Sequence, residues 1–121
     1  MTTSPVGALL ACVALSLAAC ATAPPPTEQV ATATAALARA AGAGAAELAP
    51  TEMRMAREKL DRANAAVVAK NYDSALALAQ EAQVDARLAE AKSQSIKANK
   101  AASTVNEDNR VLREELDRKA K

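Results

Sequence analysis

EMRMAREKLDRANAAVVAKNYDSALALAQEAQVDARLAEA, running from Glu52 to Ala91, is the stretch that decides the fold. In its first half Met53, Ala56, Leu60, Ala63 and Val67 recur at steps of three and four, which lines them along one side of a helix. On the polar side Arg54–Glu58, Arg57–Asp61 and Glu58–Arg62 stand four apart, each pair contributing about 0.2–0.5 kcal/mol to the helix. Lys70-Asn71-Tyr72-Asp73 then breaks the pattern. Asn tolerates left-handed backbone and closes the first helix, and Asp73 is placed to cap the next. Beyond the break Ala75, Leu78, Ala82, Ala86 and Ala89 form a second stripe, whose small side chains let two backbones approach closely. Two helices separated by so short a turn must fold back on one another, so the stretch predicts an antiparallel hairpin.

Upstream, Pro50 suits the first helical turn, where its missing N–H has no partner in any case, and Glu52 meets the positive end of the helix dipole. Thr27 to Ala41 is also helical in pattern, with Val30, Thr34, Leu37 and Ala41 at the apolar spacing, and Gly42 and Gly44 end it. Helices are therefore expected at about 27–41, 50–70 and 73–118, with nothing that reads as a strand. The last would extend about 70 Å if unbroken. Along it Val84, Leu88, Ala91, Ser95, Ala98, Ala102, Val105, Asn109, Leu112 and Leu116 alternate steps of four and three, the signature of a coiled coil. A polar Asn109 within such a stripe sets register or strand number at some cost in stability. The fold class expected is all-α: a short helix, a hairpin and a long C-terminal helix with coiled-coil character.

Composition agrees. Alanine accounts for 34 of the 121 residues, Phe and Trp are absent, and Tyr72 is the single aromatic. Alanine loses no side-chain entropy on entering a helix but fills little volume, so the helices should make thin, close contacts. Fifteen basic and fourteen acidic side chains nearly cancel, which implies no general attraction to nucleic acid or to a charged membrane surface. Lys92, Lys97 and Lys100 form one local basic run, read as a solvated helix face for want of interleaved aromatics. There is no histidine, hence no acid–base group of ordinary pKa near neutrality. Gly42-Ala43-Gly44 lacks the strand context of a phosphate loop. Neither catalytic, cofactor-binding nor metal-ligating residues are expected, and the chain is read as a non-enzyme.

The one candidate for chemistry lies near the start. Val6 to Ala19 is an uncharged, mostly apolar run, the length of a signal-peptide core and short for a bilayer span. Leu17-Ala18-Ala19-Cys20 resembles a bacterial lipobox, in which the cysteine is acylated and becomes the first mature residue. This assigns 1–19 as signal peptide, Leu17, Ala18 and Ala19 as the cleavage motif, and Cys20 as the lipidation site. Several acyl chains, palmitate for example, anchor firmly where one alone binds marginally. Met1 to Pro5 carries no basic residue, unlike the usual export signal, so ordinary secretory cleavage and a retained membrane helix stay open. Residues 20–26, with Pro24-Pro25-Pro26, would form a semi-rigid tether, leaving 27–121 as the helical domain.

Residues 42–101 resemble the bacterial family called domain of unknown function 4398. The matching features are Ala49-Pro50, Glu58-Lys59-Leu60, Tyr72 with Ala75, Leu78-Ala79 with Ala82, and Asp85-Ala86 with Leu88-Ala89. Leu48 departs from the aromatic common before that Ala-Pro. The resemblance implies a helical Gram-negative envelope lipoprotein, and some members carry an OmpA-like peptidoglycan-binding domain that these 121 residues do not contain. The Tyr72-x-x-Ala75 hairpin also resembles one tetratricopeptide unit, although a lone unit cannot bury its face as an array does. The resulting expectation is a periplasm-facing, outer-membrane lipoprotein held by its lipid, whose helices self-associate or meet an envelope partner. Two alternatives stand beside it. One is a wall tether, since a lipoprotein ending in a helix and Lys121 resembles the Braun type, whose C-terminal lysine is joined to peptidoglycan. The other is a soluble periplasmic helical binding module.

Overall fold

The computed structural model describes residues 24–121. Among them the fold is all-α: α1 (Thr27–Gly42), the single turn α2 (Ala45–Leu48), α3 (Pro50–Val68) and α4 (Tyr72–Lys119). The helical hairpin, the helix preceding it and the long C-terminal helix are as the sequence predicts.

Shared burial fixes the arrangement. Ala33, early in α1, is buried with Leu60 and Ala63 from the end of α3 and with Ala79 and Ala82 from the start of α4. Ala36 and Ala40, later in α1, are buried with Met53 and Ala56 from the start of α3 and with Ala86 and Ala89 further along α4. α3 is thus antiparallel to both neighbours, and α1 runs parallel to α4. The start of α1 and the α3–α4 turn share one end of the bundle, and α4 leaves from the other.

The core is almost wholly alanine, with Met53 and Leu60 its large apolar members. Alanine on facing helices allows the backbones to approach closely, so contact is made by many short side chains rather than a few long ones. The α3 stripe lies where periodicity puts it: Met53, Ala56, Leu60 and Ala63 are buried and Val67 is half-buried. In α1 the stripe is turned. Ala33, Ala36 and Ala40 face inward, Val30 and Leu37 lie half-buried beside them, and Thr34 and Ala41 are exposed. At the three-way contact α1 contributes only alanine to the centre, the space there being filled by Met53 and Leu60 of α3, and its own larger residues lie on the flanks. The Thr34 hydroxyl instead donates to the Val30 carbonyl at 2.9 Å.

Both connections have definable geometry. Gly44, with φ +81°, precedes α2 in left-handed backbone, which an L side chain adopts only at a cost. At the hairpin turn the left-handed residue is Lys70, φ +58°, and not the expected Asn71. The Lys70 amide donates to Val67 and the Asn71 amide to Ala66, at 3.0 and 2.9 Å, the paired bonds of a Schellman closure. Asn71 is the cap of α4, its Oδ1 accepting from the Ser74 amide at 3.4 Å. Asp73, read from sequence as the cap, lies in the first turn instead, where its charge still complements the dipole.

Candidate interaction surface

α4 has 48 residues and is about 72 Å long, but only its first half belongs to the bundle. Its buried residues are Ala75, Ala79, Ala82, Ala86, Ala89 and Ser93. Ser93 closes the series by donating its hydroxyl to the Ala89 carbonyl at 2.7 Å. From Gln94 to the chain end every residue is exposed.

The heptad stripe lies on the other side of this helix. Val84 stands two residues after Ala82, and Leu88 two after Ala86, a rotation of about 200°. Val84 and Leu88 are accordingly 62% and 54% exposed although they flank the core. Further out Val105, Leu112 and Leu116 are 57%, 60% and 67% exposed. The helix therefore has two apolar sides, an inner one of small residues used by the bundle and an outer one that no other described residue covers. On the outermost turns the charges avoid this seam. The Arg110 guanidinium donates to both oxygens of Glu107, with Nε–Oε2 at 3.0 Å, and also to Glu114. That cluster holds the Glu107 carboxyl below its ordinary pKa and occupies the opposite side of the helix.

Nearer the bundle, ion pairs clasp α4 to its neighbours. Lys59 of α3 lies 2.7 Å from Asp85 and 3.1 Å from Glu81. These carboxylates, Asp85 foremost, raise the lysine's pKa against the opposing effect of desolvation. Asp85 Oδ2 is buried, and the Lys59 ammonium 2.7 Å away is its charge partner. Lys92 donates to Glu52 at 2.7 Å and, chiefly through that bond, lowers the Glu52 pKa. Arg39 of α1 approaches Glu90 at 3.9 Å. A shallow groove beside Val84 is lined by Lys59, Ala77, Gln80, Glu81 and Asp85. Its lysine is already neutralised by two carboxylates, which leaves no free charge for an anionic ligand.

The sequence-derived candidates are dispersed. Leu17, Ala18, Ala19 and Cys20 lie outside the described residues. Of the basic run, Lys92 is exposed and also pairs with Glu52 of α3, and Lys97 reaches to within contact of the space beside Gly44. Lys121 follows the end of α4 and is exposed. Arg54–Glu58 is paired at 4.0 Å, whereas the interhelical pairs of Lys59 and Lys92 were invisible in the sequence, since residues 22 to 40 apart meet only after folding. Among the described residues no three His, Cys, Asp or Glu side chains are grouped to hold a metal, and no helix is long and apolar enough to cross a membrane.

Comparison with known proteins places the chain by its sequence. The profile of the family described as "Domain of unknown function (DUF4398)" matches residues 28–105, which takes in α1, the hairpin and the first part of the projecting helix. No curated protein and no solved structure matches the chain.

Proposed function

This chain belongs to the DUF4398 family, and from that membership and its topology we propose that it is a non-enzymatic envelope lipoprotein. Acylated Cys20 holds it to a membrane, and its helical domain faces the periplasm in a structural or protein-interaction role. The observation that carries this reading is the polarity of the bundle. α1 begins at the end that also holds the α3–α4 turn, while α4 projects from the opposite end. A lipid on Cys20, four residues before the exposed Pro24, would thus hold one end and leave the unpartnered apolar helix pointing away from the bilayer. Leu17-Ala18-Ala19-Cys20 supplies the chemistry for such an anchor, and the outer membrane is the destination we favour because Ala21 follows the cysteine.

The test is the intact mass of protein extracted from the membrane of a Gram-negative host. A mass equal to residues 20–121 plus acyl chains is expected, and Cys20→Ser should abolish both the acylation and the membrane attachment. A mass without lipid, starting after Ala21 or Ala23, would replace this reading with a soluble periplasmic module. One further role is favoured by position. Lys121 is exposed at the distal tip of the long helix, where peptidoglycan could be joined to it while Cys20 stays in the membrane. Muropeptides carrying the C-terminal residues after wall digestion would support that linkage, and their absence would dismiss it.

A further inference from the structure

We propose that the projecting part of α4, residues 98–119, pairs with the same segment of a second copy as a parallel, in-register, two-stranded coiled coil. This deepens the interaction role proposed above by naming the partner, and it does not depend on the lipid anchor.

Most helical stability in proteins comes from packing an apolar face, and residues 98–119 have no such packing among the described residues while exposing Val105, Leu112 and Leu116. The stripe assigns Ala102, Asn109 and Leu116 to the a positions of a heptad and Ala98, Val105 and Leu112 to the d positions. Positions b, c and f are polar or charged except for Val111, and the Glu107–Arg110–Glu114 cluster lies wholly among them. No ion pair on this segment competes for the seam.

Three features select a second copy and its direction. The g position Asp108 and the e position Arg113 stand five apart, the spacing at which g of one strand meets e of the other in a parallel dimer. The interaction occurs twice by symmetry, and neither side chain has an ion-pair partner within its own chain among the described residues. An antiparallel pairing that overlaps the last turns would instead set Asp108 against Glu115 of the second copy, acid against acid. Asn109 is satisfied in the seam only by an identical amide at the same level, which parallel in-register pairing supplies. Leu116 at a and Val105 at d would by themselves admit assemblies of more than two strands, and the polar pair is what narrows the number.

Charge also marks where pairing stops. Extended toward the bundle, the register would bring the g position Arg87 against Lys92 of the second copy, two like charges. Beyond Leu116 the next d position is Lys119. The seam is bounded at both ends by cations and falls on the part of α4 that the bundle leaves free.

The experiment is site-specific photocrosslinking in the full chain, with p-benzoylphenylalanine at Leu112 and, for comparison, at Glu107 on the opposite side. Leu112 should yield an adduct of twice the chain mass, joined to residues 105–119 of the second copy, and Glu107 should yield none. Asp108→Arg should abolish the adduct by facing Arg113 with a like charge, and Asp108→Arg combined with Arg113→Asp should restore it. A structural role of Asp108 within one chain would show no such rescue. An adduct to a different protein, one heavier than two chains, a crosslink into residues 84–98, equal yields from the two positions or no adduct at all would each overturn the proposal. Because the adduct reads pairing and the intact mass reads acylation, failure of one reading is distinguishable from failure of the other.

Discussion

The two halves of α4 are one continuous helix under opposite physical regimes. From Tyr72 to Ser93 the helix is held by burial: six of its small residues are enclosed, and Glu81, Asp85, Glu90 and Lys92 tie it to α3 and α1. From residue 98 onward it is held by its own backbone bonds and by local pairs such as Arg110 with Glu107 and Glu114. Yet the exposed half has larger apolar residues in its stripe than the buried half has in its core. The difference teaches that side-chain size here tracks how closely the facing helix must come. Where three helices meet, α1 and α4 contribute only alanine to the shared core, against Met53 and Leu60 of α3. Where one helix stands out, leucine and valine are carried with no surface among the described residues to cover them.

The largest expected effect breaks this contrast directly. Met53→Ala removes the largest fully buried apolar side chain and should destabilise the bundle by about 2–5 kcal/mol, read from the denaturant midpoint. Leu112→Ala, an equal loss of apolar surface on the projecting half, should change bundle unfolding by less than about 0.5 kcal/mol. If the two variants lowered the midpoint alike, the halves would not be energetically separate.

A complementary substitution adds volume. Ala86→Leu inserts three carbons where the residue is fully enclosed among α1, α3 and α4, and should cost about 1–3 kcal/mol through forced separation of the helices. Ala102→Leu, on the exposed stripe, should change bundle stability by less than about 0.5 kcal/mol and leave the helicity read by circular dichroism unchanged. A tolerated Ala86→Leu would show that the core has slack the structure does not display.

The turns give smaller effects of opposite sign. Gly44→Ala places a Cβ in left-handed backbone, 3.4 Å from the flexible end of Lys97, and should cost about 1 kcal/mol from conformation alone. Lys70→Gly relieves the same conformation at the hairpin turn and should gain about 0.5 kcal/mol, part of the relief being lost to a freer unfolded chain. Thermal midpoints of the two variants should therefore move in opposite directions.

The smallest effects come from the clasp of charges, and pH resolves them. The Lys59 pKa is raised, so its contribution is full below the ordinary lysine value and is lost as pH climbs through the raised one. The Glu52 pKa is lowered, so its contribution is full above the ordinary carboxylate range and is lost as pH falls through the lowered value. Lys59→Met should flatten the alkaline limb of the stability profile, and Glu52→Gln the acid limb, with little change in the slope of the other. Ion pairs still open to solvent at one side are individually weak, and a shift of the opposite limb would assign the titration to other groups.

How much of this was legible beforehand depends on contrast between neighbouring residues. In α3, methionine and leucine alternate with charged residues, and the stripe from Met53 to Ala63 was readable because, Met55 apart, the other side of the helix is polar. In α1, alanine stands at 31, 33, 35, 36, 38, 40 and 41, on every side of the helix, so periodicity favoured the larger Val30 and Leu37 and missed the inward side by part of a turn. The hairpin break was visible in Lys70-Asn71-Tyr72-Asp73. The roles within it were not, since propensity points to Asn for left-handed backbone while chain closure put Lys70 there. Of the candidate surface, the heptad spacing from Val84 to Leu116 was plain, but not that this stripe lies on the side turned from the bundle.

The order of the three longer helices, the hairpin, the long terminal helix and its apolar stripe follow from the sequence by itself, because helix propensity, breakers and apolar spacing act within a few residues of one another. Tertiary structure alone decided which alanines are enclosed, that Lys59 meets Glu81 and Asp85, and that α4 leaves the bundle at the end opposite the start of α1. Those outcomes depend on close packing and charge between residues distant in the chain, and an alanine carries no local mark of which helix it will touch.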